Sequence, residues 1–371
     1  LKTLTKTSIR LIQLIVCNYP IASSNLTGVM NLKSIRSKAL LYLPFVVLLL
    51  QACGLGKANL DGELTGVPDR EGWFQTVPYG MIVVPSGTFH MGQADQDVPA
   101  SQINLNKQIT IGGFYMDETE ITNNEYRQFT NEMLIDSVEV IGFEYIMTEL
   151  YPDTTVWMND FTHHMGDPMM EYYYAHPAFD DYPVVGVDWF AARYFCEWRT
   201  KRLNRWRVEN GLWYMPNFRL PSEAEWEYAS RGGRDMSKYP WGNPYLRNSK
   251  GCVLANLKPG RGNYYDDGFM YTAPAGSYFS NDYGLYDMSG NVSEWCEDAY
   301  YAAANPVVWD LNPTFNEDAE ARKIIRGGSW KDIAYYLETG TRTYEYQDTA
   351  KSYVGFRCVM TYLGRSSGQE F

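Results

Sequence analysis

Three of the chain's four histidines, His163, His164 and His176, fall in a stretch that also holds Asp160, Asp167, Asp180 and Asp181. Imidazoles and carboxylates at that density could ligate a divalent metal. Their spacing matches no metal motif, and adjacent histidines usually point apart. Residues 131–182, rich in Tyr, Met and Asp, read instead as an insertion that presents an aromatic protein-contact surface. Cysteines offer a second chemistry. Leaving aside Cys17 and Cys53, four remain: Cys196, Cys252, Cys296 and Cys358. An oxidising compartment permits disulfides among them, and sequence alone leaves the connectivity open. Cys252 and Cys296 could pair, or stay free and buried, which is the reading favoured here.

Cys53 belongs to a different device. Met30 opens an export signal in which Lys33, Arg36 and Lys38 form a basic region and residues 39–50 an apolar one. That run is too short to span a bilayer comfortably and contains Pro44, so it reads as a signal peptide. It ends Leu50-Gln51-Ala52-Cys53-Gly54, like a bacterial lipobox, with Gln51 a slight departure. The chain begins with Leu1, so translation is expected from Met30, with residues 1–29 upstream of the true start and Cys53 as the lipidated N-terminus. Three acyl chains, as bacterial lipoproteins carry, make a stable anchor. No Asp and no acidic run follows Cys53, which points to the periplasmic face of the outer membrane.

Residues 1–52 hold six Lys or Arg and no acid, so residues 53–371 carry 26 basic and 44 acidic groups, a balance of -18. Such a surface repels phosphate backbones and argues against nucleic-acid binding. Many glycines beside 30 Tyr and 11 Trp favour a loop-rich fold with a core of large rings. Residues 53–76 read as a tether. From Val77 the pattern changes, with a strand at 79–85 and a turn at Ser86-Gly87. Thr122 with Glu125, and Ser222 with Glu225, form capping boxes that open helices, the second stopped by Gly232-Gly233. Asp188 caps a stretch in which Trp189, Ala192, Phe195 and Arg199 recur at helical spacing. After Pro240 little periodicity is visible until Arg326.

Several segments, in order, resemble the formylglycine-generating enzyme family. They are Met81–Pro85 with Gly87, Phe89, Met91 and Gly92; Asp117–Thr122; Pro183–Val187; Arg219–Tyr228; Gly284–Trp295; Arg326–Trp330; and Gly355–Cys358. The resemblance implies one α+β domain at 77–365, related to C-type lectins and low in regular secondary structure, before a short tail at 366–371. Within that superfamily, the lipobox, the run His176–Val187 and the tail from Gly364 to Phe371 resemble the gliding-motility lipoproteins of the GldK or PorK type, with GldJ as a sister. That likeness implies a periplasmic homo-oligomeric ring in the type IX secretion machinery, with a partner of the GldN or PorN type.

Active members of the wider family hold copper(I) between two cysteines, because soft thiolates select it. Here those positions carry Asp332 and Leu337, so the resemblance implies a non-catalytic relative and no copper. Structural calcium is implied instead. One site maps onto Asp287 and Glu294 with the carbonyls of Gly290 and Val292. The other maps onto Asn256 and Asp267 with the carbonyls of Leu257 and Phe269. By the same resemblance Cys196 pairs with Cys358, while the family's other occasional disulfide falls near Ser230 and Arg342, where both cysteines are missing. Two other functions stay in competition: a formylglycine-forming or related sulfur-oxidising enzyme, and a glycan or peptidoglycan binding module.

Overall fold

The computed structural model describes residues 73–93, 106–161, 166–260, 263–302, 304 and 308–366. The export signal, Cys53, His163 and His164 lie outside them. Regular structure starts earlier than Val77. Strand β1 (Trp73–Phe74) pairs antiparallel with the C-terminal strand Arg365–Ser366. The buried Gln75 side chain donates to Thr361 O at 3.1 Å and accepts from Leu363 N at 2.6 Å. Residues 73–76 therefore belong to the domain and not to the tether, a correction that only a pairing nearly 300 residues distant reveals.

Strands β2 (Met81–Val84), β3 (Gly87–Met91), β4 (Lys107–Ile111) and β5 (Phe114–Asp117) follow. Helix α1 (Asn123–Glu132) begins at the Thr122–Glu125 capping box, in which each residue's side chain bonds the other's backbone amide. Short helical turns occupy parts of 133–160 and 168–179. Helix α2 (Trp189–Glu209) is capped by Asp188, whose carboxylate accepts from Ala191 N at 2.7 Å. Strand β6 (Phe218–Arg219) leads into α3 (Glu223–Arg231), which opens at the Ser222–Glu225 box and stops at the left-handed Gly232. These helix starts are where the capping signals placed them.

The stretch after Pro240, read as irregular, contains strands β7 (Ser293–Ala299) and β8 (Arg322–Arg326). Strands β9 (Thr343–Tyr346), β10 (Val354–Gly355) and β11 (Val359–Thr361) complete two four-stranded sheets, ordered β10-β7-β8-β9 and β2-β5-β11-β6. Each sheet packs its central strand on both faces: all four residues of β5 are buried, and six of seven in β7. Rings join helices to sheets. Tyr126 of α1 stacks on Phe195 of α2 at 5.5 Å, and Phe195 meets Phe356 edge-on at 5.4 Å. No helix among the described residues is long and apolar enough to cross a membrane.

Candidate functional site

The segment after β8 runs Gly327-Gly328 with φ of +92° and +66°, a conformation that side chains resist. A Cβ on Gly328 would also lie 2.8 Å from the Tyr336 backbone, so this turn has to be glycine. It delivers Ser329, Trp330 and Asp332. The Ser329 hydroxyl donates to Asp332 Oδ2 at 2.6 Å, and Asp332 N donates to Ser329 O at 2.9 Å. Burial pushes the Asp332 carboxyl up, and hydrogen bonding to the carboxylate from the Ser329 side chain and backbone opposes the shift. Leu337 has no exposed surface and packs with Tyr239, Ala255 and Leu257 in a small apolar cluster. One position thus holds a hydrogen-bonded hard oxygen donor and the other a sealed hydrocarbon. Neither fits copper(I), which selects sulfur.

Trp330 is covered from the insertion. Trp157 stacks on it at 5.8 Å and Phe161 at 5.9 Å. Asp160 reinforces the contact by pairing with Lys331 at 2.7 Å and accepting from the Ser352 hydroxyl. The insertion is therefore fastened to the segment that carries Asp332.

The Trp330 amide donates to Asn291 O at 2.9 Å, and through Asn291 this segment reaches a buried ionic cluster. Arg357 donates twice to Glu294, each at 2.7 Å, and Trp226 Nε1 donates to the same carboxylate at 2.8 Å. Oε1 of Glu294 keeps an acceptor direction beyond its Arg357 bond. Asp287 accepts from Gly276 N at 2.5 Å through Oδ2, while its Oδ1 is buried without a partner. Glu120 is fully buried, and its Oε2 lacks a partner as well. Burial raises both carboxyls, repulsion from Asp287 raises Glu120 further, and a hydrogen bond between the two side chains pulls Asp287 back down. Two neighbouring carboxyls with one bare oxygen each suit a hard cation of the calcium type. Asp287 has φ of +53°, a region where Asp and Asn are the tolerated non-glycine residues.

The second predicted calcium loop adjoins the first. Asn291 N donates to Asn256 O at 3.0 Å, and a Cβ on Gly290 would sit 2.2 Å from that same oxygen, which explains the glycine. Asp267 turns its carboxylate to the amides of Leu257 (2.9 Å) and Phe269 (3.2 Å). These bonds hold together the loop whose carbonyls were the expected ligands. The chain thus brings Asn256, Leu257, Asp267 and Phe269 together, and sets Asp287 near Glu294.

With this geometry in hand, the comparison with known families is direct. The sequence matches the sulfatase-modifying factor enzyme 1-like domain over residues 73–362. The chain belongs to that family. Among its relatives, the inactive C-alpha-formylglycine-generating enzyme 2 of Bos taurus is 31% identical over 318 residues, covering 80% of this chain and 91% of the relative. The formylglycine-generating enzyme of Mus musculus is 30% identical over 310 residues, covering 76% and 75%. The fold is shared with PvdO from Pseudomonas aeruginosa at a TM-score of 0.54 and 22% identity, over 76% of this chain and 94% of that one.

Other residues singled out in the sequence scatter. His176 Nδ1 accepts from Ala178 N at 3.1 Å, Asp167 caps Met169 N at 3.0 Å, and Asp180 pairs with Arg127. Asp181 is exposed. Each serves a different local partner. The buried Cys196 and Cys358 sulfurs face each other at 3.5 Å. Cys296 is buried but Cys252 is exposed on a turn, which corrects the expectation of two buried thiols. Arg342, at one vacant cysteine position, grips Glu223 through two bonds of 2.5 and 2.7 Å. The sequence reading passed over Glu120 and Asn291 as site residues. Asn291 bonds Glu120 at 3.1 Å, Ala273 N at 2.8 Å and Asn256 at 3.3 Å. Only its place in the motif Gly290–Trp295 pointed to it.

Proposed function

We propose that this member of the family is a non-catalytic lipoprotein, anchored through Cys53 on the periplasmic face of the outer membrane. There it serves as a structural ring subunit of the type IX secretion and gliding machinery, with a GldN or PorN-type partner. The observation that carries the non-catalytic part is Leu337, sealed in an apolar cluster where active relatives need a thiolate. The reading is supported by a relative named as inactive at 31% identity. Calcium, where bound, is held by Asp287, Glu294 and the carbonyls of Gly290 and Val292, and by Asn256, Asp267 and the carbonyls of Leu257 and Phe269. Its role is to brace loops. The anchor and the ring rest on the lipobox and on the sequence likeness described above.

The test is to crosslink the protein in its native membrane, purify it, and identify by mass spectrometry its N-terminus, its companions and its size. A very large assembly with one dominant partner and a lipidated Cys53 is expected. A monomer without a partner would sink the scaffold reading. In a parallel assay a cysteine-containing sulfatase peptide, incubated with the purified protein and copper(I), is expected to stay unconverted. Formylglycine in that peptide would restore the enzyme reading.

A further inference from the structure

Charge is segregated along this chain. Residues 131–182 contain eleven Asp or Glu and no Lys or Arg, a balance of -11 in a chain whose total is -12. Helix α2 runs the other way, with six Lys or Arg against two Glu, a balance of +4. Each region also exposes large apolar side chains. In the insertion, two helical turns meet at Gly142, whose φ of +93° makes a sharp corner. On either side of it Val140 and Phe143 stand 87% and 61% exposed. Glu139 and Glu144 flank them, exposed as well, and no ion pair among the described residues reaches either. This is a knob with an apolar tip and an acidic collar.

On α2, a cavity of about 420 Å³ opens between Tyr79, Leu203 and Trp206. Tyr79 is 96% exposed and Trp206 56%. Arg202 lines it and Arg205 lies one turn along, both with half or more of the side chain exposed. Tyr, Trp and Arg are the residue types that dominate interface energetics, and an exposed apolar patch rimmed by charge marks an interaction surface. Among the described residues the acid these two arginines share is Glu132, and two guanidinium groups against one carboxylate leave that group net positive.

We infer that the Val140–Phe143 knob of one copy docks into the Tyr79–Trp206 groove of a second copy, with Glu139 and Glu144 facing Arg202 and Arg205. Two unlike surfaces of one chain meeting this way form a heterologous contact, and such contacts close into rings when the rotation allows. The inference rests on the ring reading and deepens it by naming the subunit contact.

The full-length lipoprotein in detergent supplies the test, by sedimentation velocity and residue-resolved crosslinking. Wild type is expected to form species of three or more copies that crosslink between the knob and the groove and weaken with salt. The knob variant Val140→Ser/Phe143→Ser and the groove variant Arg202→Glu/Arg205→Glu should each stay monomeric at concentrations at least ten-fold above the wild-type midpoint. Mixed, they should stop at dimers, because only one productive pair of surfaces remains. Joining Glu139→Lys/Glu144→Lys to the groove variant in one chain should restore assembly, which separates lost contact from misfolding. Large wild-type assemblies indifferent to both variants would overturn this contact and leave the ring standing. A wild type monomeric at every concentration would overturn both.

Discussion

Asp298 shows how much one side chain is asked to do. It lies one residue before the end of β7 and accepts from the amides of Glu223 at 2.7 Å and Phe315 at 2.5 Å, so it fixes both the start of α3 and the loop beyond β7. Burial, and then the nearby Glu223 charge, push its carboxyl up to about 7, against the pull of those two amides. A carboxyl raised on folding binds its proton more tightly in the native state than in the unfolded one. Stability is therefore full below the unfolded value near 4 and falls as pH rises through about 7. The contribution is at most about 4 kcal/mol, since the rise is about three pKa units and each is worth about 1.4 kcal/mol. Chemical denaturation of wild type and Asp298→Asn from about pH 4.5 to about 8 checks this, a range that covers most of the fall between about 4 and 7. Wild type is expected to lose stability across the range, and the variant, which cannot titrate, to show a shallower slope. Equal slopes would mean that Asp298 does not carry the dependence.

At the scale of elements, what could be read in advance was local. The Thr122–Glu125 and Ser222–Glu225 boxes are signals three residues apart, and both open helices. Strand β7 could not be read. It buries Glu294 and Asp298 among its inward residues, so no apolar alternation marks it. The groups that neutralise this polarity, Arg357 and the Glu223 amide, lie 63 and 75 residues away. The candidate site divides the same way: Asp287 and Glu294 came from one motif, whereas Glu120 joins them only through the fold, 171 residues from the Asn291 it bonds. The link from α2 to the start of β11 is a further element-scale matter. Cys196 and Cys358 have their sulfurs 3.5 Å apart, close enough that small side-chain shifts reach the roughly 2.05 Å of a disulfide. Protein from the native membrane, unfolded in denaturant, should yield no maleimide label at either cysteine before reduction. Closing so long a loop is worth roughly 4 to 5 kcal/mol in the chain-entropy model, so reduction should lower the melting temperature by several degrees. Cys196→Ser/Cys358→Ser should melt like reduced wild type whatever the redox buffer.

Over the whole molecule, few regular elements hold many long loops, and what substitutes for regular structure is a set of buried polar joints. Asn291 is the hub of one. It ties the approach to α1 through Glu120, the loop at 256–273 through Asn256 and Ala273, and the segment after β8 through Trp330, whose amide donates to Asn291 O at 2.9 Å. Both calcium sites, as proposed, flank this hub, so an ion there would act on the domain as a unit and not on one loop. The bare oxygens of Glu120 and Asp287 give it a reason to bind, because an unsatisfied buried carboxylate is costly. Free calcium at about 100 times its dissociation constant would add roughly 2.7 kcal/mol to folding. Thermal melts of gently purified protein, with calcium and after exhaustive chelation, are expected to differ by several degrees in one cooperative transition. Asp287→Asn should keep the Gly276 bond, since a side-chain oxygen remains, and should narrow the gap between the two melts. A transition indifferent to both ion and chelator would assign the hub to hydrogen bonds alone, with Glu120 and Asp287 sharing a proton in place of a cation.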